Sequence, residues 1–129
     1  LKAHGDLPAA KTDYRDGRTR VRFKECSPEE KARLIAEDPA YGRVVCRCET
    51  ITEGEILDAL REEIPATTID GVKRRCGAGM GRCQGGFCGP RVLELISKTL
   101  GISPLDVLQD KAGTNVLLCE TKQEENHHD

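Results

Sequence analysis

Apolar residues in this chain fall in short runs with helical spacing, divided by polar, proline and glycine breaks. Ser27-Pro28-Glu29-Glu30 has capping-box spacing with proline at the first helical position. It predicts a helix to about Glu37, stopped by Asp38 and Pro39. Leu34 and Ile35 are its few apolar residues, so this helix belongs on the surface. Thr52-Glu53-Gly54-Glu55 repeats the box, and Ile56, Leu57, Leu60 and Ile64 then form one apolar face up to Pro65. Thr68 predicts a cap for a short helix from Ile69 to about Arg75. The strongest amphipathic pattern runs from Pro90 to Leu100, with Val92, Leu93, Leu95, Ile96 and Leu100 expected inside and Gly101 as the stop. Ser103-Pro104 predicts a last short helix through Leu105, Val107 and Leu108.

Two segments alternate rather than repeat helically. Arg20 to Lys24 predicts a short strand, and Asn115 to Cys119 is its expected partner, since a lone strand is not stable. Tyr41 to Val45 reads as extended chain. Residues 1–18 read as a polar arm, and the tail from Glu120 is expected to be disordered.

The bulk composition narrows the class. The chain has 129 residues, enough for one modest domain, and a formal charge of −2, which makes no case for nucleic acid. A third of the residues are charged and only 3% are aromatic, so the core must be small and aliphatic and in need of a staple. No apolar run approaches the roughly 18 residues of a transmembrane helix. The polar start, Leu1 to Asp6, does not resemble a signal peptide. A first residue other than Met suggests a piece of a larger protein. Seven cysteines cannot all pair within a monomer. These features favour a reducing, cytoplasmic setting and metal-binding cysteines over a disulfide framework.

The candidate chemistry lies in those cysteines. Residues 76–90 hold Cys76, Cys83 and Cys88 among six glycines, and Cys46 and Cys48 lie upstream. Glycine lets backbone N–H groups approach thiolates closely, as metal and iron–sulfur sites require. Cys46, Cys48, Cys83 and Cys88 supply four thiolates, with Cys76 as a fifth candidate. On a strand, Cys46 and Cys48 would share one face. Isolated Cys26 and Cys119 read as small buried hydrophobes. The Cys-x-Cys and Cys-x4-Cys spacings depart from usual zinc knuckles but leave zinc and an iron–sulfur cluster both open. A zinc-binding structural or interaction module is therefore the alternative reading, and thiol redox sensing by Cys76, Cys83 and Cys88 is a third. Arg47, Lys73, Arg74, Arg75, Arg82 and Arg91 could offset a cluster's negative charge or form a basic docking face. Gly77, Gly79 and Gly81 precede cysteine rather than joining a strand to a helix, so they are no dinucleotide fingerprint. No Ser/His/Asp arrangement is evident; His4, His127 and His128 lie near the ends.

The stretches Val45–Glu49, Thr52–Ile56, Asp70–Arg75 and Gly77–Arg91 resemble the bacterioferritin-associated-ferredoxin-like (BFD-like) [2Fe-2S] domain. The resemblance is to the version at the C-terminus of FAD-dependent dehydrogenases of the anaerobic glycerol-3-phosphate dehydrogenase type. It implies an all-α domain over residues 41–110 with glycine-rich cluster loops. An N-terminal arm with one surface helix would occupy 1–40, an extension and tail 111–129, and a minor two-stranded pairing is allowed. It implies Cys46, Cys48, Cys83 and Cys88 as cluster ligands and departs from the pattern at Cys76, read as a bystander. It further implies electron transfer from FAD in a parent oxidoreductase, whose flavin domain and other redox subunits would be the partners. This chain alone is expected to bind no FAD and to catalyse nothing.

Overall fold

The computed structural model describes Thr12, Asp13 and residues 20–121. The readings of an arm over residues 1–18 and of a tail beyond residue 121 otherwise lie outside the described residues. Helix α1, Pro28–Glu37, starts where its capping box predicts: the Glu30 N–H donates to Ser27 Oγ at 3.2 Å and the Ser27 N–H donates to the Glu30 carboxylate at 2.8 Å. It buries no residue of its own. A single 3-10 turn, Pro39–Gly42, then buries Ala40 and Tyr41.

Strand β1, Val44–Cys46, pairs antiparallel with β2, Ile51–Thr52, setting Val44 opposite Thr52 and Cys46 opposite Ile51 with an irregularity between. Helix α2, Glu53–Arg61, follows directly from its Thr52 cap. It stops earlier than the apolar pattern suggests, leaving Ile64 77% exposed. Pro65 disfavours helical backbone at Ile64, and the Ala66 N–H returns to the Ala59 carbonyl at 2.8 Å. Helix α3, Ile69–Cys76, and helix α4, Gly89–Leu100, each end on a glycine in the left-handed region, Gly77 at φ 88° and Gly101 at φ 65°. The last expected helix is a 3-10 turn, Pro104–Asp106, and Val107 after it is fully buried.

The expected pairing of Arg20–Lys24 with Asn115–Cys119 does not form. Phe23 begins a 3-10 turn, its N–H donates to the Glu55 carboxylate at 3.2 Å, and its ring stacks on Tyr41 at 6.3 Å. Asn115 instead bridges Leu108, and the Val116 N–H donates to the Val107 carbonyl at 3.1 Å. The described chain is thus mostly helical, with one small sheet at β1–β2.

Helices α2, α3 and α4 pack on one another around Ile56, Leu60, Val72, Val92, Leu95 and Ile96, joined by Val107. This aliphatic cluster includes Cys46 and Cys88, so the core itself fixes two of the candidate sulfurs. Tyr41 presses on α2 at Gly54, where a Cβ would come within 2.7 Å of the ring. No described helix is long and apolar enough to cross a membrane.

Candidate metal centre

Cys46 closes β1 and Cys48 lies in the turn after it, so the two do not share a strand face: Cys46 is buried and Cys48 exposed. Cys83 and Cys88 come from the glycine-rich loop between α3 and α4, with Cys88 at the N-cap of α4. This loop is a chain of tight turns. The Met80 N–H reaches the Gly77 carbonyl at 3.1 Å, Gln84 reaches Gly81 at 2.9 Å, and Gly86 reaches Cys83 at 2.9 Å. Gln84 takes φ 47°, unusual outside glycine, and its side-chain amide donates to the carbonyls of Met80 and Gly81, both at 3.0 Å. Lys73 donates to the same side chain at 3.2 Å and ties the loop to α3. Gly81 lies so close to Cys48 that a Cβ there would sit 2.1 Å from the Cys48 Cβ. Only glycine lets the two segments approach in this way.

All four thiols line one cavity of about 640 Å³, together with Arg47, Phe87 and other residues. Cys48 and Cys83 Sγ lie 3.5 Å apart. The Cys83 thiol is held below its ordinary range by the Phe87 N–H, then by the Cys48 thiol and the N–H groups of Gly85 and Gly86. Burial pushes Cys88 up to about 11, with neighbouring Cys46 adding to the effect. Among the described residues, no group of three or more His, Cys, Asp or Glu side chains is gathered to hold a single metal ion.

A salt-bridge knot borders the cavity. Glu53, 7% exposed, accepts from Arg43 Nη2 at 2.8 Å and Nε at 3.0 Å, and from Arg91 Nη2 at 2.9 Å. Arg43 chiefly, and Arg91 with it, hold the Glu53 carboxyl down at about 2. Arg91 also pairs with Glu94 at 2.5 Å. The knot joins the chain entering β1 to the starts of α2 and α4, bracketing Cys46 and Cys88.

Of the six basic residues singled out in the sequence, Arg47 and Arg91 line the cavity. Lys73, Arg74 and Arg75 border a different cleft and bond to Gln84, Asp110 and Glu62 respectively. Arg82 is exposed and does not line the cavity. Cys76 also borders the second cleft; its thiol donates to the Val72 carbonyl at 3.3 Å, and burial pushes it up to about 11. Cys26 is half-buried, with its thiol on the Arg22 carbonyl at 3.4 Å. Cys119 is exposed, which corrects its reading as a buried hydrophobe. Arg43, Glu53 and Phe87 do not stand out in the sequence. The only local signal for Glu53 is its place at the first helical position after the Thr52 cap.

The BFD-like [2Fe-2S] binding domain matches residues 44–98. Glycerol 3-phosphate dehydrogenase of Caloramator mitchellensis is 48% identical over 103 residues, covering 80% of this chain and 22% of that protein. An opine oxidase subunit of Rhizobium meliloti is 41% identical over 64 residues, 50% of this chain and 12% of that protein. An anaerobic glycerol-3-phosphate dehydrogenase subunit of Escherichia coli (strain K12) is 33% identical over 64 residues, again 50% and 12%. The chain therefore spans about a fifth or less of the length of these curated relatives. No solved structure matches it.

Proposed function

Residues 44–98 belong to the BFD-like [2Fe-2S] binding domain family, and from that premise we propose that Cys46, Cys48, Cys83 and Cys88 hold a [2Fe-2S] cluster. In this reading the chain relays single electrons between FAD in a larger dehydrogenase and another redox centre. The observation that carries it is the convergence of four thiols from two distant segments on one cavity. Two iron atoms each need two thiolates, and the donors fall into a buried pair, Cys46 and Cys88, and a more accessible pair, exposed Cys48 and half-buried Cys83. Bound there, a [2Fe-2S] cluster supplies a one-electron carrier.

The chain's own residues then have separate tasks. Gly81 gives Cys48 room beside the loop, and the N–H groups of Phe87, Gly85 and Gly86 stabilise sulfur charge at Cys83. The aliphatic core keeps water from Cys46 and Cys88. Glu53 locks Arg43 and Arg91 across the inner side. FAD and the oxidation of a small hydroxy-acid, amino-acid-like or polyol-phosphate substrate belong to the parent protein in this proposal. The oxidation is suggested by relatives named as glycerol 3-phosphate dehydrogenase and opine oxidase, and FAD by the resemblance to FAD-dependent dehydrogenases.

Anaerobic purification with a visible spectrum and iron and sulfide assays tests the reading. A coloured protein with about two iron and two sulfide per chain is expected. A colourless protein carrying zinc would overturn it and favour the zinc module.

A further inference from the structure

Phe87 exposes 88% of its surface although it lies between two of the candidate ligands, Cys83 and Cys88. Aromatic residues are scarce here, with two Phe, two Tyr and no Trp in the whole chain. The other Phe, Phe23, is buried, as is Tyr41. Val44, 46% exposed, is a second apolar residue on the same cavity lining. An exposed aromatic that shares a cavity lining with a second exposed apolar side chain marks a contact surface rather than an ordinary solvated loop. The backbone around Phe87 is already fixed, because the Gly86 N–H donates to the Cys83 carbonyl at 2.9 Å and the Gly89 N–H donates to the Gly85 carbonyl at 2.7 Å. A fixed anchor loses little conformational freedom on binding.

The charges around this anchor give the partner's sign. Arg43, Arg47 and Arg91 line the same cavity, and Glu53 is the one carboxylate among its described lining residues. Both Glu53 oxygens are already taken by Arg43 and Arg91. Arg43 and Arg91 are held in ion pairs with Glu53 and Glu94, so the rim stays net positive chiefly through Arg47, outside that knot, and it carries an apolar tip. We infer that Phe87, with Val44 and Arg47, forms the docking surface for an electron-transfer protein that offers an apolar socket bordered by carboxylates. The inference rests on the electron-transfer reading and adds where the partner seats and what it must present.

The test uses the complete chain with its cluster content measured first by iron and sulfide. The protein is reduced with dithionite and mixed in a stopped-flow cell with oxidised flavodoxin, a small acidic flavoprotein. A parallel arm uses cytochrome c, a small basic haem protein. In each, this protein loses one electron and the acceptor gains one. Transfer to flavodoxin should fall severalfold as salt rises through the Debye range, whereas transfer to cytochrome c should hold level or rise. At matched cluster content, Phe87→Ala should slow transfer to flavodoxin about tenfold, as expected for loss of an aromatic anchor. Phe87→Leu should restore much of the rate, and Arg47→Gln should flatten its salt dependence.

Unchanged rates in Phe87→Ala and Arg47→Gln with a full cluster would overturn the docking surface and leave the electron-transfer reading intact. Transfer that slows with salt for cytochrome c and not for flavodoxin would overturn the charge assignment and the proposal with it. A wild-type dimer in sedimentation that Phe87→Ala dissolves would give the surface to a second copy instead. A chain that assembles no cluster would remove both readings together. Should Phe87→Ala fail to fold, Val44→Ser and Arg47→Gln carry the same comparison.

Discussion

Cys46 and Cys88 sit at 1% and 3% exposure among core side chains, whereas Cys48 is exposed and Cys83 half-buried in turns. The inner pair takes its place from hydrophobic packing against residues such as Ile51, Ile56 and Val92. The outer pair takes its place from backbone geometry: Gly81 against Cys48, the positive φ of Gln84, and N–H groups turned toward Cys83. One cavity is thus built half by burial and half by loop conformation. Lesions in the first half should read as folding defects, and lesions in the second as binding defects.

Serine substitution makes the largest test of this division. Each of Cys46→Ser, Cys48→Ser, Cys83→Ser and Cys88→Ser should abolish or badly weaken cluster binding, while Cys26→Ser and Cys119→Ser should retain it, by iron and sulfide assay. In the metal-free protein the four should then separate. Cys46→Ser and Cys88→Ser place a hydroxyl in the core and should cost about 1–3 kcal/mol in urea unfolding. Cys48→Ser and Cys83→Ser should stay within about 0.5 kcal/mol. Equal costs for all four would erase the inner–outer distinction.

Glu53 sharpens the inner half through pH. Its carboxyl titrates at about 2 when folded, chiefly because of Arg43, against 4.5 for the ordinary group. A depressed folded value gives stability that is complete above the unfolded value and is lost as pH falls from 4.5 toward 2. The contribution at neutral pH is up to about 3 kcal/mol. Urea midpoints of metal-free wild type should fall steeply across that window, and Glu53→Gln should be less stable at pH 7 and much flatter below 4.5. A wild type and variant with the same acid dependence would remove Glu53 from the account.

Gly81→Ala probes the outer half alone. Its Cβ would meet the Cys48 Cβ at 2.1 Å, so the turn or Cys48 must move. Cluster loading should drop severalfold, with metal-free stability reduced by about 1–2 kcal/mol at most. Normal loading would show that the close approach is dispensable.

The smallest effects concern charge. Arg91 is already offset by Glu53 and Glu94, and Arg82 does not line the cavity. Arg47→Gln should therefore lower the midpoint potential by about 20–50 mV, roughly 0.5–1 kcal/mol for one electron, with smaller shifts for Arg91→Gln and Arg82→Gln. A redox titration in which Arg91→Gln shifts most would contradict the offset.

What can be read from sequence follows the range of the interactions. The capping boxes at Ser27 and Thr52, the Thr68 cap and the Gly101 stop are local, and the helices begin or end on them with little error. The pairing of β1 with β2 is not evident from sequence, and five alternating residues at 20–24 can suggest a strand but not decide a partner. Phe23 goes instead to an aromatic stack on Tyr41, a contact that no local pattern carries. The cysteine spacing picks out the thiols that converge, because chemistry limits what such a cluster of residues can mean. The Glu53 knot is hidden because Arg91 lies 38 residues from it. Likewise, Cys48 looks equivalent to Cys46 in sequence, and only the end of β1 sets them at different depths.

The separation of the two cysteine segments along the chain also has a polymer consequence. The inner sulfurs are contributed by residues 46 and 88, with α2 and α3 strung between them. A metal-centred bridge across them closes a loop of about 42 residues, which by the relation used for covalent cross-links removes about 4 kcal/mol of configurational freedom from the unfolded chain. A chain so bridged would melt as a ring rather than as a thread. Its earliest losses on heating would then come from the segments outside the ring that the core does not hold: α1 on one side and, beyond the core-packed α4 and Val107, the stretch after them on the other.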